Sequence, residues 1–173
     1  MHYGNIKQYD IADGEGCRTT LFVSGCTNHC KNCFQPETWD FDYGEPFTRE
    51  TLTRLDKELE REEIEGLTIL GGEPLHPKNV GAVADIVSYL KIWKSEKSIW
   101  IYTGYTFEEL ICGRDMINIL QFIDVLVDGA FEEQKKNLLL EFRGSENQRI
   151  IDVKKTIIND EVTLWENPQK GRP

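Results

Sequence analysis

Four short apolar runs, each stopped by a glycine, constrain this chain's fold more than any other feature. They are Thr19-Thr20-Leu21-Phe22-Val23 before Ser24-Gly25-Cys26, and Leu67-Thr68-Ile69-Leu70 before Gly71-Gly72-Glu73-Pro74. The third is Ile99-Trp100-Ile101-Tyr102 before Thr103-Gly104-Tyr105, and the fourth Ile123-Asp124-Val125-Leu126-Val127 before Asp128-Gly129. Runs this short, rich in β-branched residues and bounded by glycine, read as buried strands. Helical stripes fill the gaps. Leu52, Leu55 and Leu59 follow Thr48, a candidate N-cap, and Val83, Ile86, Val87, Leu90 and Trp93 form a second stripe. Thr106 and Glu109 make a capping box for a third helix through Leu110 and Ile111. Strand followed by helix, repeated, predicts an α/β chain with a parallel sheet and right-handed crossovers.

The length, 173 residues, sets the size of that sheet. A complete eight-unit β/α barrel typically needs about 250 residues. The expectation is therefore a partial, open parallel β/α barrel in a single domain over residues 1–155. A C-terminal tail, 156–173, has no readable role. Within it, Asn159-Asp160 between the β-branched runs Thr156-Ile157-Ile158 and Val162-Thr163-Leu164-Trp165 favours a hairpin.

Ligands of parallel α/β sheets bind beyond the carboxyl ends of the strands. The four glycine-containing stops all fall there, so one cleft should gather Cys26, Cys30, Cys33, Gly71, Gly72, Glu73, Thr103 and Asp128. Cys26, Cys30 and Cys33 lie within eight residues, with no fourth cysteine nearby. On a helix they would share one face and could be a buried stripe. The polar residues between them, Gly25 before and Pro36 after, favour a loop wrapped around a metal. Three thiolates can hold three corners of a cubic iron–sulfur cluster and leave its fourth iron open to a ligand. The competing reading is a structural zinc site completed by His29 or His2. Cys17 and Cys112 stand apart and read as small, partly buried residues.

Gly71-Gly72-Glu73-Pro74 permits positive φ and close approach by a ligand, and Glu73 can accept hydrogen bonds from an ammonium group. A net charge of −10 argues against a general nucleic-acid surface. The first residues lack the basic-then-apolar pattern of a secretory signal, and no run reaches membrane-spanning length. A cytoplasmic protein, with no membrane and no nucleic acid among its partners, is expected.

Cys26-x-x-x-Cys30-x-x-Cys33 together with Gly71-Gly72-Glu73-Pro74 resembles the radical S-adenosylmethionine superfamily. Many members carry an aromatic residue just before the third cysteine. Here that position is Asn32, and the aromatic Phe34 follows, as in the branch that activates anaerobic ribonucleotide reductases. Asp13-Gly14-Glu15-Gly16-Cys17-Arg18, Glu37-Thr38-Trp39, Ile99 to Tyr105, Val127-Asp128-Gly129 and Phe142 to Ile151 are similar to that branch too.

The resemblance implies a partial barrel of the radical S-adenosylmethionine type. It implies a [4Fe–4S] cluster on Cys26, Cys30 and Cys33, and S-adenosylmethionine chelating the unique iron. The Gly71-Gly72-Glu73 turn would hold the methionine amino group. Asn32, Cys33 and Phe34 would flank the adenine or sulfonium, with Thr103 and Asp128 also touching the cofactor. Reductive cleavage would give methionine and a 5′-deoxyadenosyl radical, which takes hydrogen from a glycine on the large reductase subunit. No side chain acts as an acid, base or nucleophile in that scheme, so no catalytic residue is expected beyond the cofactor sites. Partners would be that subunit and an electron donor such as flavodoxin or a thiol reductant system. Arg143, Asn147, Gln148 and Arg149 would be either a solvated face or a contact with reductase or cofactor carboxylate. Two alternatives stand beside this: a small-molecule radical enzyme of the deazapurine-synthase kind, and a non-catalytic zinc module.

Overall fold

A computed structural model describes residues 1–167, apart from the side chains at 114 and 115. The predicted runs form the centre of one seven-stranded sheet, in the order β3-β1-β2-β4-β5-β6-β7. β1 spans His2–Asp10, β2 Arg18–Val23, β3 Glu45–Pro46, β4 Gly66–Gly71, β5 Ser98–Tyr102, β6 Val125–Asp128 and β7 Arg149–Asp152. β2, β4, β5 and β6 are parallel, as expected, but β1, β3 and β7 join them antiparallel. The sheet is thus mixed rather than wholly parallel, and among the described residues its two edges, β3 and β7, do not pair. It is open.

Cross-strand register explains why the four runs choose each other. Leu21 pairs with Ile69, Ile69 with Ile101, Ile101 with Leu126, and Leu126 with Ile151. This row of β-branched and leucine side chains is wholly buried. Successive strand residues point to opposite faces, so the row commits one face of the sheet to the core. Helices α1 (Arg49–Leu59), α2 (Val80–Trp93), α3 (Phe107–Cys112), α4 (Arg114–Leu120) and α5 (Val153–Asn159) supply the partners. Leu55, Leu59, Val83, Ile86, Val87, Leu90, Phe107, Leu110, Ile119, Leu120 and Val153 pack against that face. Burying each such side chain contributes roughly 1.5–3 kcal/mol.

The caps read from sequence are present. Thr48 accepts a hydrogen bond from the Thr51 N–H at the start of α1, and Thr106 with Glu109 forms the capping box of α3. Trp93 departs from its stripe. It ends α2 beside the exposed Ile92 and is 71% exposed. Cys112 is exposed rather than partly buried, whereas Cys17 is partly buried.

The expected hairpin in the tail is not formed. Asp152 caps α5 by accepting from the Lys155 N–H, Val153 and Thr156 turn inward, and Thr156-Ile157-Ile158 is helical. The chain then reverses at Asp160 in the left-handed region, φ 53°, and residues 163–165 run back along β7. Thr163 O accepts from the Asp152 N–H, and the Trp165 N–H donates to Ile150 O. Trp165 packs edge-on against Trp100, 5.0 Å between ring centres, and closes part of the helix-free face. No helix among the described residues is long and apolar enough to cross a membrane.

Candidate metal and cofactor cleft

The helix-free face is where the alternate strand residues point, and it is not a second copy of the core. Arg18 is buried at its foot beneath Trp100. The guanidinium donates to Thr68 Oγ1 at 2.7 Å, Ser98 Oγ at 2.9 Å and the Leu67 and Ser98 carbonyls at 2.9 Å. Its partners are neutral oxygens, and burial lowers its pKa to about 10. Above it a cleft of about 540 Å³ runs along the sheet and opens at the carboxyl ends of the parallel strands. Phe22, Leu70 and Tyr102 form its floor, and Cys26, Cys30, Cys33, Gly71, Gly72, Glu73 and Thr103 line it.

The three cysteines lie on an irregular loop, not a helix. His29 and Asn32 take positive φ, 45° and 54°, which no helix allows. The Asn28 N–H donates to Cys26 Sγ at 3.4 Å, and the Cys33 N–H donates to the Cys30 carbonyl at 3.1 Å. Burial pushes both the Cys26 and Cys30 thiols upward, and for Cys30 the neighbouring Cys33 adds to it.

Gly72 explains how this loop is held against the Gly-Gly-Glu turn. A methyl group at its Cα would stand 2.7 Å from Gly25 O and 2.9 Å from Thr38 O. The glycine therefore admits the protein's own backbone. The Gly72 N–H donates to Val23 O at 2.7 Å and the Glu73 N–H to Gly25 O at 2.8 Å. The Gly25 N–H in turn donates to Thr38 O, and the Cys26 N–H to Trp39 O. Gly71 sits at φ 110°, a value other residues rarely adopt.

Glu73 is buried at the centre of the joint. Its Oε1 accepts from Thr103 Oγ1 at 2.7 Å and the Leu75 N–H at 3.0 Å. Its Oε2 accepts from the Gly104 N–H at 2.7 Å and Asn28 Nδ2 at 3.2 Å. Burial raises its pKa, opposed by those four donors. Glu73 thus ties the cysteine loop to the end of β5, and Thr103 touches Glu73 at the cleft wall.

Two of the expected residues stand elsewhere. Asp128 ends β6 as foreseen, but its carboxylate does not line the cleft. It accepts from the Phe107 N–H at 2.8 Å, starting α3, and pairs with Arg149, which also grips Glu108. The buried acid is spent on an ion pair with the half-exposed Arg149. The Asn32 side chain points out of the cleft to Glu133, which also pairs with Lys31. Phe34 does line the cleft, with its ring against Phe131 at 5.1 Å.

Sequence reasoning missed Asn79 and Asn28, and in the far wall it singled out only Arg143, Asn147, Gln148 and Arg149, of which Arg143 and Gln148 line the cleft. Asn79 precedes α2 and looks like an N-cap, yet its side chain makes no cap. Its Nδ2 donates to the carbonyls of Ser24, Gly25 and Glu73, so one buried amide clamps both motifs. The far wall is an aperiodic stretch, 129–148, without strand or helix signal. Within it Gln148 Oε1 accepts from the N–H groups of Gly144 and Ser145, and Arg143 donates to Gln148 O. Asn147 donates to Ala130 O.

Among the described residues, no three His, Cys, Asp or Glu side chains converge on one metal position. His29 lies against Trp39 at 4.6 Å and His2 faces Asp42. Cys26, Cys30 and Cys33 all line the one cleft, and a cuboidal cluster would take each thiolate on a different iron.

Residues 12–151 match the family described as a 4Fe-4S single cluster domain, which places this open mixed sheet, with its three thiols beyond the parallel strand ends, in an iron–sulfur class of protein. The anaerobic ribonucleoside-triphosphate reductase-activating protein of Enterobacteria phage T4 is 39% identical over 150 residues, spanning 87% of this chain and 93% of that one. The protein of that name from Pasteurella multocida (strain Pm70) is 41% identical over 152 residues, 87% of this chain and 96% of its own. That from Escherichia coli (strain K12) is 37% identical over 150 residues, 86% and 96%. The chain belongs to the family of anaerobic ribonucleoside-triphosphate reductase-activating proteins.

Proposed function

We propose that this protein binds one [4Fe–4S] cluster through Cys26, Cys30 and Cys33, takes S-adenosylmethionine at the remaining iron, and installs a glycyl radical on the large subunit of anaerobic ribonucleotide reductase. The observation that carries this is the joint between the two motifs. The Glu73 N–H bonds to Gly25 O and the Gly72 N–H to Val23 O, Asn79 clamps the Gly25 and Glu73 carbonyls, and Cys26, Gly72 and Glu73 line one cleft. The open sheet would then be a partial β/α barrel of the radical S-adenosylmethionine type.

When bound, the cluster and S-adenosylmethionine together supply one-electron cleavage of the sulfonium and a 5′-deoxyadenosyl radical able to take hydrogen from a glycine. The chain's own part is placement and exclusion of water. Cys26, Cys30 and Cys33 would hold the metal centre. Glu73, with both oxygens already taken by protein donors, braces the turn, and the Gly71-Gly72-Glu73 turn would hold the methionine amino group. The main chain of Asn32, Cys33 and Phe34 would flank the adenine or sulfonium. Phe22, Leu70, Phe131 and Phe142 give the cleft apolar walls that keep water from a reactive species. The unclosed sheet leaves a side from which a macromolecule can present a backbone glycine, which a small-molecule enzyme does not need. An external one-electron donor such as flavodoxin completes the system.

Anaerobic reconstitution should give a brown protein with about four irons and four sulfides per chain. With dithionite it should cleave S-adenosylmethionine, and with reductase it should produce a glycyl radical signal in electron paramagnetic resonance. Cys26→Ala, Cys30→Ala and Cys33→Ala should each abolish cleavage, whereas Cys17→Ala and Cys112→Ala should leave it intact. A colourless protein carrying one zinc would sink the proposal.

A further inference from the structure

Asn79 stands one residue before α2 and is buried. The helix gives no reason for an asparagine there. Its backbone, at φ −106° and ψ −35°, lacks the extended shape from which a side chain caps a helix. The amide is turned the other way. Its Nδ2 donates to Ser24 O at 3.0 Å, Gly25 O at 3.3 Å and Glu73 O at 3.0 Å. The first two carbonyls belong to the two peptide planes on either side of Gly25. Each plane is rigid, so the chain turns at this point only through the two dihedrals of Gly25. That residue sits at φ 97°, a value glycine takes freely and other residues rarely do. A methyl group on it would also stand 2.1 Å from the Phe41 ring. Gly25 is therefore a swivel, and Cys26 is the first residue beyond it.

We infer that Asn79 is a positioning residue: it locks the Gly25 swivel and so fixes Cys26 against the Gly71-Gly72-Glu73 turn. One side-chain nitrogen holds both planes of the swivel and the carbonyl of Glu73, so none of the three can move without breaking a bond to it. Cys30 and Cys33 lie four and seven residues further along, beyond the reach of that grip, and the lock acts on Cys26 first. Under the functional reading above, the span from Cys26 to the turn is the span from one corner of the cluster to the methionine amino group. Asn79 then sets how the two cofactors meet. This second consequence rests on that reading, whereas the lock itself does not.

The first test uses the full chain without its cluster and follows thiol alkylation at each cysteine by mass spectrometry. Cys26 is only 8% exposed in the parent. Asn79→Ala removes all three bonds, and Asn79→Ser keeps a single hydroxyl hydrogen, enough for one carbonyl at most. Cys26 should react about tenfold faster or more in Asn79→Ala, the scale of one or two lost hydrogen bonds. The gain should be smaller in Asn79→Ser, and the exposed Cys112 should react at its parental rate in both. Ile69→Ala, which loosens the buried core instead, controls for general loss of stability and should leave Cys26 slow. The second test uses cluster-loaded protein without oxygen. Both Asn79 variants should still hold about four irons but bind S-adenosylmethionine about 10- to 100-fold more weakly, with Ile69→Ala binding as the parent does. Parental Cys26 alkylation in both Asn79 variants, or an equal gain in Ile69→Ala, would overturn the inference. So would variants that bind S-adenosylmethionine within twofold of a binding-competent parent. Faster Cys26 alkylation beside a parent that takes up no cluster and binds no S-adenosylmethionine would overturn the functional reading and leave the lock standing.

Discussion

The two faces of the central sheet are built from alternate residues of the same strands and share almost nothing else. On the helix side stand Leu21, Ile69, Ile101, Leu126 and Ile151, dry and interlocked with five helices. On the other side the same strands present Arg18, Thr20, Phe22, Thr68, Leu70, Trp100 and Tyr102 toward polar loops and an open cleft. One face stores the stability, and the other is free to carry polar and metal-binding groups because it does not have to. Changes on the first face should unfold the protein without altering what the folded fraction binds. Changes on the second should alter binding at smaller cost to the fold.

Three substitutions probe that division. Ile69→Ala removes the middle of the apolar row and should cost about 2–5 kcal/mol in urea unfolding, with iron content of the surviving folded protein unchanged. If iron is lost in proportion to stability, the faces are not independent. Gly72→Ala forces a methyl group against Gly25 O and Thr38 O. It should cost about 1–3 kcal/mol and also loosen the cysteine loop, seen as faster iron loss to a chelator. Normal iron retention would show that the joint does not set the loop's position.

Asp13→Asn should have the smallest effect, visible only in pH dependence. Asp13 lines the foot of the cleft, and burial, followed by the facing Asp10 carboxyl, pushes its pKa up to about 7. Asp10 goes the other way, lowered by Asp13, the Ala12 N–H, Thr20 and Lys7 against its own burial. Between 3.8 and about 7 the folded protein keeps a proton on Asp13 that the unfolded chain has released. Stability from this group is therefore whole below 3.8 and is lost as pH rises through about 7. Asp10, with its lowered pKa, withdraws its contribution only in more acidic solution. The variant has no such proton to lose, so its unfolding midpoint should stay flatter than the parent's from pH 5 to pH 8. Equal slopes would show that the two carboxyls do not share a proton.

The comparison also explains what could be read in advance. Buried strands announce themselves by unbroken apolar runs, and the four parallel ones were legible, as were the Thr48 and Thr106 caps and the placing of both motifs at one end of the sheet. β1 was not, because it buries little beyond Tyr3 and Asp10 and shows no apolar alternation, with only the two-residue β3 on its outer side. The far wall has no period at all, since side-chain amides and carbonyls hold it together. Asp128 was placed at the correct strand end, but its ion pair with Arg149 lies 21 positions on, beyond any local pattern. The tail misled because Thr156-Ile157-Ile158 has strand-like composition, whereas the Asp152 cap and two inward residues, Val153 and Thr156, decide for helix.

Asn79 and Gly72 carry a lesson for anyone moving this chemistry to another scaffold. The cysteine run is anchored by a carbonyl at Thr38, an amide at Asn79, a carboxylate at Glu73 and a hydroxyl at Thr103 that braces it, none of them adjacent to it in the chain. A transplanted loop alone would arrive without its mooring. A successful graft must carry these separated pieces together, in their relative positions.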